Sequence, residues 1–206
     1  MHVLCVDIQN YSRHHINAVV QISDCPHPWK FIGFYRHPEV GKQKESWSLL
    51  KLLHSFTLEA LLCVGYLNEI TVDSEKYGTT RRPLWQMVDF RKALDYTNLT
   101  DLGFKGPKFT WLNMQDGSKF IKERLDRALG NSKWLDFFQM VKVNVLAACT
   151  SDHAPLLITF QHLVQQRLSR RFWYDARWGK ILAYKEVIKK EWIIVIEFQT
   201  KIIMKI

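Results

Sequence analysis

Short apolar runs closed off by turn residues, interrupted by two stretches of helical spacing, set the pattern of the first 160 positions of this chain. Asn17 to Ile22 (NAVVQI) and Trp29 to Tyr35 (WKFIGFY) are rich in β-branched and aromatic residues, with the turn composition Asp24-Cys25-Pro26-His27-Pro28 between them. They read as neighbouring strands. Ser46 is placed to cap a helix whose Leu49, Leu50, Leu52, Leu53 and Phe56 recur at three- and four-residue spacing. Leu61 to Val64 then reads as a buried strand that ends at Gly65-Tyr66-Leu67-Asn68. Pro83 suits the first turn of a second helix, with Leu84, Met87, Val88 and Leu94 as the face expected to cover a sheet. Phe109 to Leu112 and Lys119 to Leu129 flank Asp116-Gly117 and predict a β-hairpin. Trp134, Phe137 and Phe138 predict a short amphipathic turn of helix, and Val141 to Leu146 and Pro155 to Phe160 two further strands.

This alternation of strand and helix signals predicts a mixed α/β or α+β fold. With 206 residues, 47% hydrophobic and 13% aromatic, the chain is sufficient for one ordinary globular domain and has no internal repeat. Beyond Phe160 the composition turns polar and basic, and Tyr184 to Trp192 is helix-like. The net charge of +9 is uneven: residues 161–206 carry 10 Lys and Arg against 4 Asp and Glu, residues 1–160 carry 19 against 16. A basic tail is either a solvated segment or a contact for an anionic partner.

Cys5, Cys25, Cys63 and Cys149 stand far apart with no C-x-x-C pair, which excludes a zinc knuckle or a redox motif. They are expected to be reduced thiols of an intracellular protein, nuclear or cytoplasmic. No basic-then-apolar leader follows Met1, and no uninterrupted apolar run approaches the ~18 residues of a membrane span. A soluble chain without a membrane partner is expected.

Three local patterns carry chemistry. Gly65-Tyr66-Leu67-Asn68 ends a buried strand, where sheet proteins present polar groups to ligands. Ser151-Asp152-His153 sets an acid beside an imidazole just before a strand, a pair suited to metal binding and proton transfer. Arg124-Leu125-Asp126-Arg127 places charges on a strand, where alternation puts Arg124 and Asp126 on one face.

Taken in order, Cys63-Val64-Gly65-Tyr66-Leu67-Asn68-Glu69-Ile70, Asp101-Leu102-Gly103-Phe104-Lys105-Gly106, Phe109-Thr110-Trp111, Glu123-Arg124-Leu125-Asp126-Arg127 and Ser151-Asp152-His153-Ala154-Pro155-Leu156 resemble the endonuclease/exonuclease/phosphatase superfamily. The nearest likeness is to the endonuclease domain of plant LINE-type retroelements, which reads G-D-F-N-E-I, D-L-G-F-x-G, F-T-W, E-R-L-D-R and S-D-H-x-P-L. It spans residues 17–160, so that 1–16 stand outside it as an N-terminal extension and 161–206 as a basic connector and helical tail. The resemblance implies a DNase I-like α/β fold, here a partial two-sheet β-sandwich flanked by helices, and hydrolysis of phosphodiester bonds in DNA with Mg2+. It further implies that Asn68 holds the phosphate or the nucleophile and that Asp152 lies at the metal edge of the site. His153 would contact phosphate oxygens with Asp126 orienting its ring, and Tyr35 would reach the phosphate.

Two departures bear on activity. Tyr66 stands where the family has Asp, and nothing before Asn17 resembles the family's Asn and metal-binding Glu motifs. A degenerate, inactive domain is therefore the leading expectation. An active magnesium-dependent nuclease that has recruited another acid, such as Glu69, is one alternative. A non-catalytic nucleic-acid binder using Arg81, Arg82, Arg167, Arg170 and Arg171 with Trp173 and Trp178 is another. A sandwich short of strands is also expected to leave Val19, Phe31, Phe34 and Ile158 incompletely covered, hence to be marginally stable.

Overall fold

The chain's computed structural model describes residues 4–160 except 24, 26, 38, 56–58, 139 and 149–150, together with the backbone of residues 200–204. The candidate contributions of Phe56, Cys149, Arg167, Arg170, Arg171, Trp173 and Trp178, and the helix at Tyr184 to Trp192, lie outside these described residues.

Two β-rich runs meet as expected: β2 (His15–Ile22) and β3 (Trp29–Tyr35) pair antiparallel. Helix α1 (Gln43–Ser55) then carries the chain back, so that β4 (Leu61–Tyr66) lies parallel to β3. On its far side β4 pairs antiparallel with β9 (Asp126–Gly130), which in turn pairs with β6 (Thr100–Asp101). The N-terminal segment that stood outside the sequence resemblance is β1 (Leu4–Tyr11), hydrogen-bonded along β2. These six strands form one sheet in the order β1-β2-β3-β4-β9-β6. A second sheet contains β10 (Lys142–Val145), β11 (Leu156–Phe160) and β12 (Thr200–Met204), and a third, small one contains β5 (Lys76–Tyr77), β8 (Lys122–Glu123) and β7 (Trp111–Leu112).

Side-chain alternation assigns the two faces of the large sheet to two cores. Val20, Trp29, Leu62, Val64 and Ala128 face the second sheet, where they meet Val143, Leu156, Ile158 and Phe160, with Trp134 and Phe138 from α3 (Ser132–Phe137) and its end. Ile32, Phe34, Leu61, Cys63 and Leu129 face the other way, against Trp47, Leu50 and Leu53 of α1 and Phe90 and Ala93 of α2 (Leu84–Thr97). Burying each such side chain contributes about 1.5–3 kcal/mol. The fold is thus mixed α/β, sheet on sheet with helices outside.

Several expectations need correction. Helix α1 begins at Gln43 and Ser46 lies inside it, its hydroxyl accepting from the His37 amide at 3.2 Å. Leu52 is exposed, and Trp47 supplies the anchor on the buried face. The buried face of α2 is Gln86, Met87, Phe90, Ala93 and Thr97, while Leu84 points to solvent. Counting apolar residues found Met87 and the partly buried Val88 and Leu94 but missed Gln86 and Thr97, which are buried on that face. Phe34 lies on the helix side and Ile158 in the sandwich core, exposed by 2% and 0%. Val19 and Phe31 are only partly buried, and further uncovered apolar surface lies on β1, where Val6 and Ile8 pair with Val20 and Ala18 and so share the sandwich face, half-exposed.

The expected hairpin is shorter than its pattern. Strands β7 and β8 pair over two residues each, and the chain then breaks register at Arg124-Leu125 to enter the large sheet as β9. Alternation therefore does not hold across the break. Arg124 and Arg127, rather than Arg124 and Asp126, share a side: both guanidiniums bind Glu75 and Asp101 at 2.5–3.0 Å. No helix among the described residues is long and apolar enough to cross a membrane.

Candidate functional site

Because β3 and β4 run parallel, their last residues, Tyr35 and Tyr66, are register partners. Because β9 runs antiparallel to β4, its first residue, Asp126, is the register partner of Tyr66. All three side chains have the parity of the sandwich face, at the open end of the sheet. The approach of β4 to β3 is close here. Gly65 has φ +150°, and a Cβ on it would sit 2.0 Å from the Phe34 carbonyl oxygen, so only glycine permits this pairing.

His153 enters from the loop before β11. Its Nδ1 lies 2.9 Å from Asp126 Oδ2, and its ring meets the Tyr66 ring edge-on at 4.7 Å. Asp126 is 2% exposed. The sequence resemblance implied this Asp126 and His153 pair, and the structure brings the two residues together from positions 27 apart in the chain. Tyr35 packs against Tyr66 at 5.3 Å and is 39% exposed. Asn68 lies two residues beyond β4, buried, with φ +48°; the Arg36 guanidinium donates to its carbonyl oxygen, and the Arg36 amide donates to the Tyr66 carbonyl at 2.8 Å.

Two residues to which the sequence assigned no role hold this arrangement. Thr110, 1% exposed, accepts through Oγ1 from the amides of Leu125 and Asp126, both at 2.9 Å, and its carbonyl accepts from the Ala154 amide at 2.7 Å. One residue, through its hydroxyl and its carbonyl, thus ties the start of β9 to the loop bearing His153. Trp111 donates from its indole Nε1 to Asp152 Oδ2 at 2.8 Å. That bond, foremost, holds the exposed Asp152 carboxyl below its ordinary pKa. The signal available in the sequence was Phe109-Thr110-Trp111, a small hydroxyl between two aromatics on a strand.

Electrostatically the centre of the site is a neutral phenol. Burial pushes the Tyr66 pKa well above that of a free phenol, and Asp126 and Tyr35 add to the rise. Arg82 and Arg36 oppose it more weakly. Glu69 makes its hydrogen bonds to groups outside this cluster. It is fully buried on the helix side, accepting from Gln43 Nε2 at 2.8 Å and from the Ile70 amide at 3.0 Å, with Arg82 Nε 3.8 Å away. Burial raises its pKa despite these partners.

Magnesium demands a near-octahedral set of oxygen ligands. Asp126 uses one carboxylate oxygen on His153, Asp152 gives one to Trp111, and the residue beside Asp126 at the end of β4 is a phenol. Among the described residues no three His, Cys, Asp or Glu side chains converge to hold a metal ion. The residues present do not fit that cofactor.

No family model matches the chain, and no curated protein does. Among solved structures, the endonuclease domain of TRAS1, a telomere-specific non-LTR retrotransposon, superposes with a TM-score of 0.55 at 15% identity, over 78% of this chain and 70% of that one. A beta toxin from Staphylococcus aureus matches with a TM-score of 0.49 at 16% identity, over 70% and 56% of the two chains. A truncated Caenorhabditis elegans TDP2 matches with a TM-score of 0.42 at 15% identity, over 78% and 65%. At these identities the likeness is one of fold, and the expected mixed α/β architecture is the one this chain shares with the TRAS1 endonuclease domain.

Proposed function

We propose that this chain is a degenerate member of the endonuclease/exonuclease/phosphatase superfamily, related to the endonuclease domains of LINE-type retroelements, including those of plants, and that it does not hydrolyse DNA with magnesium. Two observations support the kinship: five motifs in family order along residues 63–156, and a fold shared with a retrotransposon endonuclease domain. One observation carries the loss of activity. Tyr66 occupies the end of β4 beside the Asp126 and His153 pair, where the family motif has Asp.

In the family's chemistry, when magnesium is bound, it polarises the phosphoryl group and lowers the barrier to attack by water. This chain's own residues would then have to supply a carboxylate beside that metal and deprotonate the water. A phenol titrates near ~10 when unperturbed, and burial raises Tyr66 further, so at pH 7 it carries no negative charge and can only donate a proton. General-base catalysis alone contributes about 10²–10⁴-fold. Asp126 and His153 keep the geometry of an orienting carboxylate and an imidazole, but they have no activated nucleophile to serve. An active enzyme that borrows Glu69 is disfavoured because that carboxylate is enclosed between Gln43 and Arg82.

Plasmid nicking by the purified chain, with magnesium and with EDTA, tests the reading. No magnesium-dependent nicking above background is expected. Nicking that EDTA abolishes and that His153→Ala removes would overturn it.

A further inference from the structure

Four ring contacts run without a gap across the end of the large sheet. His37 and His14 lie 5.2 Å apart by ring centroids, His14 and Tyr35 6.4 Å apart at an interplanar angle of 18°, Tyr35 and Tyr66 5.3 Å apart, and Tyr66 and His153 4.7 Å apart. The row joins residues from four separate parts of the chain, the fourth being His153 from the loop before β11. His14 comes from the turn between β1 and β2, Tyr35 and His37 from the end of β3, and Tyr66 from the end of β4. Its anchoring is specific: His14 Nδ1 lies 3.2 Å from the Tyr35 carbonyl oxygen, and the Tyr35 amide donates to the His14 carbonyl at 2.9 Å. Packing within a hydrophobic core does not account for the row, since Tyr35 is 39% exposed and His14 and His37 are partly exposed.

We propose that this row is a stacking platform for the bases of single-stranded nucleic acid, bound without being cleaved. The proposal takes its class of ligand, a polynucleotide, from the reading above, and it does not depend on whether the chain hydrolyses DNA. Every base has a π-face, and aromatic side chains bind unstacked bases through it with little regard to sequence. In a duplex those faces are occupied by neighbouring bases. Cations flank the row rather than line it. Arg13 is exposed beside His14, and Lys42 Nζ lies 3.5 Å from His37 Nε2. Three carboxylates oppose them, Glu39, which pairs with Lys42 at 3.1 Å, Asp126 on His153, and Asp152, while Arg36 and Arg82 add positive charge near Tyr66. With the local charges so balanced, base stacking rather than phosphate contact provides the affinity of this site. Residues 161–206, with 10 Lys and Arg against 4 Asp and Glu, would instead bind chiefly by charge, and any stacking on their Trp173 or Trp178 would be untouched by substitutions in the row.

Those two modes separate on one comparison with the full chain in EDTA. Fluorescence anisotropy is measured with a labelled oligothymidylate and with a strand of equal length whose internal positions are abasic but whose phosphates are intact. The expected result is at least about tenfold tighter binding of the base-bearing strand, with duplex DNA weaker than either single strand of mixed sequence. Tyr35→Ala and His14→Ala are each expected to weaken oligothymidylate binding by about 5- to 150-fold, the range that one base–ring stack provides, and to leave abasic-strand binding unchanged. Tyr35→Phe, which keeps the ring but loses the hydroxyl, is expected to retain the preference for the base-bearing strand, and loss of that preference would overturn the proposal. Equal affinity for base-bearing and abasic strands would overturn the proposal and assign binding to backbone charge. So would preference for the duplex, or ring variants that bind as the parent does. Magnesium-dependent cleavage in the nicking assay would overturn the preceding reading alone, because the binding measurements contain no magnesium.

Discussion

Replacing Glu75 by Gln is expected to remove much of the stability of this domain at neutral pH and very little at low pH. Glu75 is 7% exposed and accepts from Arg127 Nη1 at 3.0 Å, from Arg127 Nη2, from Arg124 Nη1 at 2.9 Å and from the Thr71 amide at 2.7 Å. Burial by itself would raise its pKa. The Arg127 hydrogen bonds and charge, with smaller contributions from Thr71 and Arg124, outweigh burial and bring the pKa from 4.5 down to about 2. A displacement of that size corresponds to about 3 kcal/mol of stability. Removing one partner from a buried ion pair costs about 3–5 kcal/mol by the independent argument that an uncompensated charge remains. Here two guanidiniums, Arg124 and Arg127, would be left with Asp101 alone. The sign follows from the depressed pKa: the contribution is complete above pH 4.5 and is lost as pH falls towards about 2. Asp101, lowered by the same arginines against its own burial, acts in the same direction. Urea denaturation of parent and Glu75→Gln chains at pH 7, 5, 4 and 3 would measure this. A difference below about 1 kcal/mol at pH 7 would refute the reasoning, as would a difference that fails to shrink between pH 5 and pH 3.

Other expectations follow from single contacts. Gly65→Ala should destabilise the chain by about 2 kcal/mol or more, seen as a lower urea midpoint, because its Cβ would meet the Phe34 carbonyl at 2.0 Å and its φ is +150°. Tyr66→Asp alone should not restore magnesium-dependent nicking, since the site still lacks a convergent set of metal donors; robust rescue would show that this one position accounts for the loss. Asn131→Ala should cost about 1–2 kcal/mol, because one amide side chain caps α3 at the Trp134 amide and also accepts from the Leu61 amide at 2.9 Å. Cys63, buried with its thiol pushed up to about 12, should resist maleimide labelling in the folded chain while exposed Cys5 reacts; peptide mass mapping distinguishes the two.

The sequence alone determined β2, β3, β4, β10 and β11 and the order of the site. Runs such as WKFIGFY and LLCVGY are bounded by turn residues and buried on both faces, so local composition suffices to identify them. The pairing of Asp126 with His153 was legible because the motif order carries it, as was the neutral residue at position 66. Tertiary structure decided the rest. That Arg124 shares carboxylates with Arg127 depends on the break between β8 and β9, which moves the chain from one sheet to another and cancels the two-residue alternation. The part played by β1 depends on its pairing with β2, since residues 5–11 are exposed and carry little hydrophobic pattern of their own. The enclosure of Glu69, the Thr110 tie and the row from His37 to His153 each join residues distant in the chain. Local spacing encodes which face of an element is apolar; only the packing of sheet on sheet and helix on sheet decides which polar groups are shut in together.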